Sequence, residues 1–402
     1  MSPPKHLGFP DGAILPFAAA AYPFTPNNTA DAKSLAATLN GILSSNLQTI
    51  LPKTYPIPVP GQKARRVLVP FSILFIAAPG GSDIYAGVND DAMCYSASLL
   101  KVAVMYAAFE LLAAANRVAA TVTVPSGTNA SDAQDLLLAA LGAAFDKGLA
   151  AGPLAAKLNA ATPGTPAYED ILEFQPGQTP QVKFQPTFAS NMDLMIRLSD
   201  DPASVKCIDA LGFTYINAAL ANGGFFNHAA GADHGIWISG DYGLKEVRQV
   251  PTINDGLGKL VMNTANMLKM FALILEQTLI DATSSQAMAS ELVQAATGLV
   301  PWIVHDDDPN STVPVTVPFV PFMSKPGFGP LGRASHFGEN VYSECSALQW
   351  SASDTDTING LAAKKLSDKI IICWQNFFEE RLKSFDKIRL VVESTVMQFA
   401  VA

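Results

Sequence analysis

Apolar residues follow a strand-like pattern near both ends of the chain and a helical pattern between them. Residues 31–50 carry apolar side chains at helical spacing, whereas residues 67–78 are rich in the valine, isoleucine and phenylalanine that favour strands. The turn-forming APGGSD separates that strand from IYAGVND, so the two segments predict a β-hairpin. Residues 1–30, which hold several prolines, predict an irregular arm.

The middle of the chain predicts helices. One begins near Ser98 and extends to about Ala115, and it is apolar on nearly every face, which is typical of a buried central helix. Residues 118–165 are rich in alanine, leucine and glycine and predict a helical insertion over that helix. Residues 223–258, rich in glycine, asparagine and aspartate, predict loops. Further helical patterns occupy 188–198, 202–221, 262–279 and 284–297.

Strand-like segments return as TVPVTVPFVPFMS, VYSECSALQW and DKIIICWQNFF, and a helical pattern around KIRLVVESTVMQFA follows them. This order predicts an α/β (α+β) fold in which one sheet is built from both terminal parts and a helical subdomain is inserted between them. The predicted boundaries are an arm over 1–30, a sheet subdomain over 31–93 plus 314–402, and a helical subdomain over 94–313 that includes 118–165.

Composition narrows the class of protein. Of the 402 residues, 49% are hydrophobic and 15% are charged, so the chain can bury a large core and disorder is not expected. The net charge of −9 and the absence of a basic stripe argue against nucleic acid as a partner. No apolar run is long enough to span a bilayer. The expected partner is a small-molecule substrate, and the oligomeric state stays open.

The four cysteines, Cys94, Cys207, Cys345 and Cys373, are scattered without a C-x-x-C pair and predict buried thiols rather than a zinc site. Buried thiols favour a reducing compartment, which predicts a cytoplasmic location. A signal peptide removed before the numbering begins would instead place the protein in the periplasm or outside the cell. No metal or cofactor is predicted.

The segment YSASLLKVAVMY places a lysine among apolar residues, where lysine is rare. Ser98 and Lys101 are three residues apart and would share a helix face, whereas Ser96 would point elsewhere. A hydroxyl becomes a good nucleophile when a base takes its proton, and burial keeps a lysine neutral enough to be that base. An ordinary helix cap with a lysine that extends to solvent would explain the same residues.

Two later motifs add to this pair. Ser199, Asp200 and Asp201 precede a helix that Leu211-Gly212 ends, which an ordinary capped helix would also explain. The run Lys325-Pro326-Gly327 ends a strand-like segment just before VYSECSALQW, which a glycine-rich hairpin turn would also explain.

The three motifs together, in this order, resemble those of the serine β-lactamase and penicillin-binding protein superfamily, most closely its class A branch, which carries S-x-x-K, S-D-N and K-T-G. The resemblance covers most of residues 65–400 and implies a β-lactamase/transpeptidase-like fold with an antiparallel sheet. It implies that Ser98 is the acylated nucleophile, that Lys101 is its base, and that Ser199 relays a proton to the leaving group.

The same resemblance also implies which residues would bind the substrate. Lys325 would lie near Ser199 and attract a carboxylate or a carbonyl. The oxyanion hole would be formed by the backbone N–H groups of Ser98 and Phe328. Asp201, Pro326 and Gly327 would line the substrate-binding pocket.

Three departures from the family pattern matter. Asp201 replaces an asparagine, so a hydrogen-bond donor is exchanged for an anion that favours the charged form of Lys101. Pro326 replaces a hydroxyl residue and removes one contact to a substrate carboxylate. Residues 223–258 hold no E-x-x-L-N element, and Glu246, the single glutamate there, has a different context. The sequence therefore fits a penicillinase less well than it fits an enzyme that keeps only the residues needed for acylation.

The sequence predicts a serine hydrolase that forms an acyl-enzyme at Ser98 with a small amide or ester. Two alternatives stay open: a genuine class A-like β-lactamase with atypical deacylation, and a catalytically degenerate binding protein on the same fold. GFGPLG formally fits G-x-G-x-x-G, but its proline and the strand-like residues after it argue against a dinucleotide site. The histidines lack the spacing of metal ligands.

Overall fold

A computed structural model describes most of the chain. The described residues are 30–50, 69–77, 83–151, 165–175, 181–227, 234–252, 256–293, 319–330, 340–350, 357–358, 361–362, 369–378 and 395. The chain divides into two compact units. Among the described residues, the sheet unit takes those within Tyr22–Leu99, Pro251–Ala272 and Leu292–Ala402, and the helical unit takes those within Leu100–Val250 and Leu273–Glu291.

The helices of the described residues have the following bounds: α1 Ala30–Ile50, α2 Lys101–Ala119, α3 Ala130–Ala151, α4 Tyr168–Ile171, α5 Pro186–Arg197, α6 Asp201–Leu211, α7 Phe213–Asn222, α8 Thr264–Leu275 and α9 Ala282–Val293, with a 3₁₀ turn at Ala97–Leu100. The longer strands are β1 Phe71–Ile76, β2 Ile84–Val88, β12 Phe319–Pro330, β13 Asn340–Trp350 and β16 Lys369–Phe378. The short strands are β3 Cys94–Tyr95, β4 Leu172–Gln175, β5 Gln181–Phe184, β6 Phe226–Asn227, β7 His234–Gly235, β8 Trp237–Ile238, β9 Val250–Thr252, β10 Gly256–Gly258, β11 Leu260–Met262, β14 Thr357–Ile358 and β15 Leu361–Ala362.

One antiparallel sheet organises the sheet unit. Its strand order is β12-β13-β16-β1-β2, so strands from both ends of the sequence pair with each other. Every residue of β1 is buried, as expected for a central strand with both faces covered. The helix α1 packs on the edge strand, where the Asn40 side chain accepts a hydrogen bond from the Gly87 N–H at 2.9 Å. The predicted fold class and the hairpin of β1 and β2 are confirmed.

The helix α2 forms the core of the helical unit. Fifteen of its residues are buried, including Lys101 and Glu110, which confirms the predicted central helix. The insertion predicted over 118–165 contains α3, and Leu137 and Leu141 on it are fully buried. Gln134 on the same helix bonds the backbone of β4 at Leu172 and Phe174. The described part of the insertion therefore contributes to the core of this unit.

The structure corrects two details of the prediction. The helix near Ser98 starts as a 3₁₀ turn, and α2 begins at Lys101 and extends to Ala119 rather than to Ala115. Lys325-Pro326-Gly327 does not end a strand, because β12 continues through it to Pro330 in register with β13. The predicted arm over 1–30 and the terminal helix around KIRLVVESTVMQFA lie almost entirely outside the described residues.

Contrary to the prediction that no apolar run is long enough to span a bilayer, one helical segment of the described residues, Ala97–Ala119, has the length and composition to cross one. Because 89% of its most apolar stretch is buried inside the protein, it has the environment of a core helix.

Candidate active site

Ser98 lies in the 3₁₀ turn that precedes α2. The residue before it, Ala97, has φ of +47°, a left-handed conformation that costs energy for a residue with a Cβ and is often found next to functional groups. Ser98 is half-buried, whereas Ser96 is fully buried and its hydroxyl has no hydrogen-bond partner among the described residues. Of the two serines, Ser98 is the one that a ligand can reach.

The strand β12 passes directly beside this turn within the sheet unit. A Cβ on Gly327 would lie 2.3 Å from the Ser96 carbonyl oxygen and 2.7 Å from the Leu99 nitrogen, so that position accepts glycine alone. Phe328, the next residue, is 47% exposed, and its ring contacts Tyr342 with centroids 5.4 Å apart. The structure thus brings the predicted residues Gly327 and Phe328 to the turn that carries Ser98.

Lys325 lies two residues earlier on β12 and is fully buried. Its register partner on β13 is Cys345. Pro326 follows it, and the loss of its backbone N–H is tolerated because β12 is an edge strand of the sheet. The predicted proximity of Lys325 to Ser199 stays a prediction.

Lys101 is fully buried in the helical unit and has several acceptors around its amine. The Nζ atom donates hydrogen bonds to the Ser199 carbonyl oxygen and to Asp201 Oδ1, each at 2.6 Å. The Ser199 hydroxyl oxygen is 3.5 Å away. The ring of Tyr242 covers the amine, with its centroid 4.5 Å from Nζ. The predicted Ser199 and Asp201 therefore meet the predicted base.

Two opposing effects set the protonation of Lys101. Burial lowers the pKa of the Lys101 amine, because the charged form loses its hydration. The hydrogen bond and charge of Asp201 act in the opposite direction, and the charge of Asp200 adds to them. Burial is the larger effect, so the amine gives up its proton more easily than an ordinary lysine while Asp201 restrains that tendency.

The start of α6 fixes the position of Ser199 and Asp201. Asp200 caps the helix by accepting a hydrogen bond from the Ala203 N–H at 2.6 Å, and a proline occupies the first turn. Ser199 has φ of +58°, and Gly212 ends the helix with φ of +79°, as the Leu-Gly pair predicts. A capped and terminated helix holds the motif in one orientation.

Tyr242 is the site residue that the sequence prediction missed. It belongs to the loop-like region 223–258, where composition indicated loops but not which side chain faces Lys101. Its neighbour Asp241 is buried and accepts hydrogen bonds from the backbone N–H groups of Gly243 and Lys245, which shapes the loop. Glu246, in the same loop, is exposed.

Within the described ranges no three histidine, cysteine, aspartate or glutamate side chains come together in a group that could hold a metal ion. His234 is half-buried in β7, while His228 and His305 lie outside the described residues.

Comparison with known proteins finds similarity in solved structures. No family model and no curated protein sequence matches the chain. The chain is similar to the structure of PBP-A, with 12% identity over 90% of this chain and 96% of that one and a TM-score of 0.44. It is similar to a β-lactamase from Sphaerobacter thermophilus, with 13% identity, 89% and 97% coverage and a TM-score of 0.43. It is also similar to the TLA-1 extended-spectrum β-lactamase, with 10% identity, 90% and 99% coverage and a TM-score of 0.48.

Two of these structures bear the name β-lactamase, the name of the family that the three motifs resemble in the sequence. At such identities, and with every one of these TM-scores below 0.5, the likenesses assign no function to this chain. Function is therefore inferred from the residues around Ser98 and Lys101.

Proposed function

We propose that the protein is a serine hydrolase that acts on a small amide or ester through an acyl-enzyme at Ser98. The observation that carries this proposal is the environment of Lys101. A fully buried amine with a lowered pKa lies three residues after a half-buried serine and contacts a second serine, Ser199. A buried lysine whose lowered pKa leaves more of the amine neutral is a suitable base for a hydroxyl nucleophile.

In the proposed reaction Lys101 takes the proton of the Ser98 hydroxyl, and Ser98 Oγ attacks the substrate carbonyl. Ser199, whose hydroxyl oxygen is 3.5 Å from the Lys101 amine, passes a proton to the leaving group. Water then releases the acyl group from Ser98. The step that forms the acyl-enzyme has its residues assigned, whereas the base that activates the deacylating water has no assigned residue.

The backbone N–H groups of Ser98 and Phe328 are the proposed oxyanion hole. The close approach of Gly327 to the turn of Ser98 supports this assignment, because it brings the two backbone segments together. Donors of this kind contribute about 3–4 kcal/mol to a transition state. Lys325 supplies positive charge on the same strand. Pro326 and Gly327 line the substrate-binding pocket.

A second function, binding without turnover, is favoured by one specific contact. The 2.6 Å ion pair between Lys101 and Asp201 stabilises the ammonium form, which cannot act as a base. If that form dominates, the protein binds or slowly acylates β-lactams and retains them. The third candidate, a genuine β-lactamase, requires rapid release of the acyl group.

Labelling with a serine-directed phosphonate, followed by intact mass, tests the proposal. We expect one adduct on the wild-type protein, none on Ser98→Ala and an unchanged adduct on Ser96→Ala, the matched control. An adduct that persists in Ser98→Ala would contradict the assignment.

Parallel incubations with p-nitrophenyl esters and a chromogenic cephalosporin separate the candidates. Ester turnover indicates the hydrolase, rapid cephalosporin turnover indicates the β-lactamase, and no turnover indicates the binding protein.

A further inference from the structure

The central sheet places two cysteines opposite each other on neighbouring strands. Cys345 on β13 and Cys373 on β16 are register partners. Directly opposite residues of an antiparallel pair point to the same face of the sheet, with Cα atoms about 4.5–5.5 Å apart. Disulfides join cysteines whose Cα atoms are roughly 4.4–6.8 Å apart, so this register meets the geometric requirement without a movement of the strands.

The two thiols also belong to a row of four buried side chains that crosses the sheet. Lys325, Cys345, Cys373 and Ser72 are successive register partners across β12, β13, β16 and β1, and all four are fully buried. Burial and the neighbouring Cys373 thiol both raise the pKa of the Cys345 thiol, which holds that thiol protonated. Such a pair reacts when the strands open locally and expose a thiolate.

We propose that Cys345 and Cys373 are a modification site: a cross-strand dithiol that forms one disulfide by exchange with a small-molecule disulfide. A thiolate of the pair attacks the oxidant's S–S bond and releases one small thiol. The second cysteine then attacks the mixed disulfide, forms the Cys345–Cys373 bond and releases the second small thiol. The pair is oxidised by two electrons, the oxidant is reduced by two electrons, and the two thiol protons end on the two released thiols.

The disulfide would join two inner strands of the sheet, because β13 and β16 lie between β12 and β1. It would close a loop of 28 residues (373 − 345 = 28). Cross-links of this length restrict the unfolded chain and stabilise the folded one. The proposal does not depend on the hydrolase function.

Thiol counting on the full-length protein tests the site. The reduced protein is incubated with oxidised glutathione, then denatured and alkylated with N-ethylmaleimide, and the adducts are counted by intact mass. We expect four adducts before oxidation and two after it, with a peptide that links Cys345 to Cys373 and a melting temperature that rises by several degrees. Because the pair is buried, the reaction should become faster at temperatures just below the melting transition.

A double variant, Cys94→Ser with Cys207→Ser, is the matched control and should lose both of its remaining thiols on oxidation. Cys373→Ser should retain its three thiols or carry a glutathione adduct on Cys345. Four free thiols after oxidation near the melting transition, or a linkage that involves Cys94 or Cys207, would overturn the proposal. Peptide mapping on the wild-type protein decides the matter even if a variant fails to fold.

Discussion

Lys101 and Glu110 are two ionisable residues on the same helix, both fully buried, with opposite surroundings. The Lys101 amine donates hydrogen bonds to the Ser199 carbonyl and to Asp201. Neither carboxylate oxygen of Glu110 has a hydrogen-bond partner among the described residues. Burial favours the neutral form of each group: it lowers the pKa of Lys101 and raises the pKa of Glu110 well above its usual value.

The neighbours of Glu110 compensate for its lost hydration only in part. The Tyr106 hydroxyl donates to the Ala219 carbonyl at 3.3 Å, and the Tyr215 hydroxyl has no partner among the described residues. Burial, together with Glu110, raises the pKa of both tyrosines. The Tyr106 hydroxyl and the charge of Arg117 both lower the pKa of Glu110, but burial is the larger effect. Burial therefore dominates at Glu110 and favours its neutral form, whereas Lys101 has acceptors in contact with its amine that adjust its charge.

The largest expected effect is that of removing the amine. Lys101→Met keeps the length of the side chain but removes the base, so acylation of Ser98 should fall by about 100-fold or more. The rate of phosphonate or cephalosporin acylation, followed by mass, measures it. Lys269→Met is the matched control, because burial also lowers the pKa of Lys269, on α8. Equal losses in both variants would show that Lys101 acts through stability rather than as a base.

Asp201→Asn should have the next largest effect. Asp201 raises the pKa of Lys101, so its loss should lower that pKa further and increase the neutral fraction of the amine. We expect cephalosporin acylation to become severalfold faster and the rising limb of its pH profile to move to lower pH. The wild-type protein should acylate slowly or retain the adduct.

Asp209→Asn, at the other end of α6, is the control and should leave the profile unchanged. An unchanged acylation rate in Asp201→Asn, or rapid penicillin turnover by the wild-type protein, would contradict the restraining role of Asp201.

Glu110→Gln should change stability rather than activity. Because the folded protein raises the pKa of Glu110, the native state binds more protons than the unfolded state above the usual carboxyl pKa. Stability should therefore fall as the pH rises through that window, and glutamine should remove this fall. Urea unfolding at pH 5 and pH 8 measures it, with Glu169→Gln as control. A wild-type protein and a Glu110→Gln variant with parallel pH dependence would show that Glu110 does not titrate in this range.

The smallest expected effect concerns Tyr242. Tyr242→Phe keeps the ring face over the amine and should change acylation less than twofold. Tyr242→Leu removes a cation–π contact with the ammonium, worth about 0.5–2 kcal/mol, and should move the pH profile slightly to lower pH. Equal effects in Tyr242→Phe and Tyr242→Leu would point to the hydroxyl instead of the ring.

The sequence by itself determined the local elements and the spacing of the candidate residues. The apolar run of β1, the cap at Asp200 and the stop at Gly212 each rest on the chemistry of a few neighbouring residues. The three-residue spacing of Ser98 and Lys101 is likewise a local feature. These parts of the fold could be predicted because propensity, capping and periodicity act within one or two turns.

Only the tertiary structure decided which side chains surround the buried charges. Tyr242 lies 141 residues after Lys101 (242 − 101 = 141), and no local pattern indicates that its ring covers the amine. The same holds for the missing partners of Glu110, the extension of β12 through Lys325, and the alignment of Cys345 with Cys373. Sequence periodicity indicates which face of an element is buried. Which residues pack against that face depends on strand register and helix packing. Both are determined by contacts between residues far apart in the sequence.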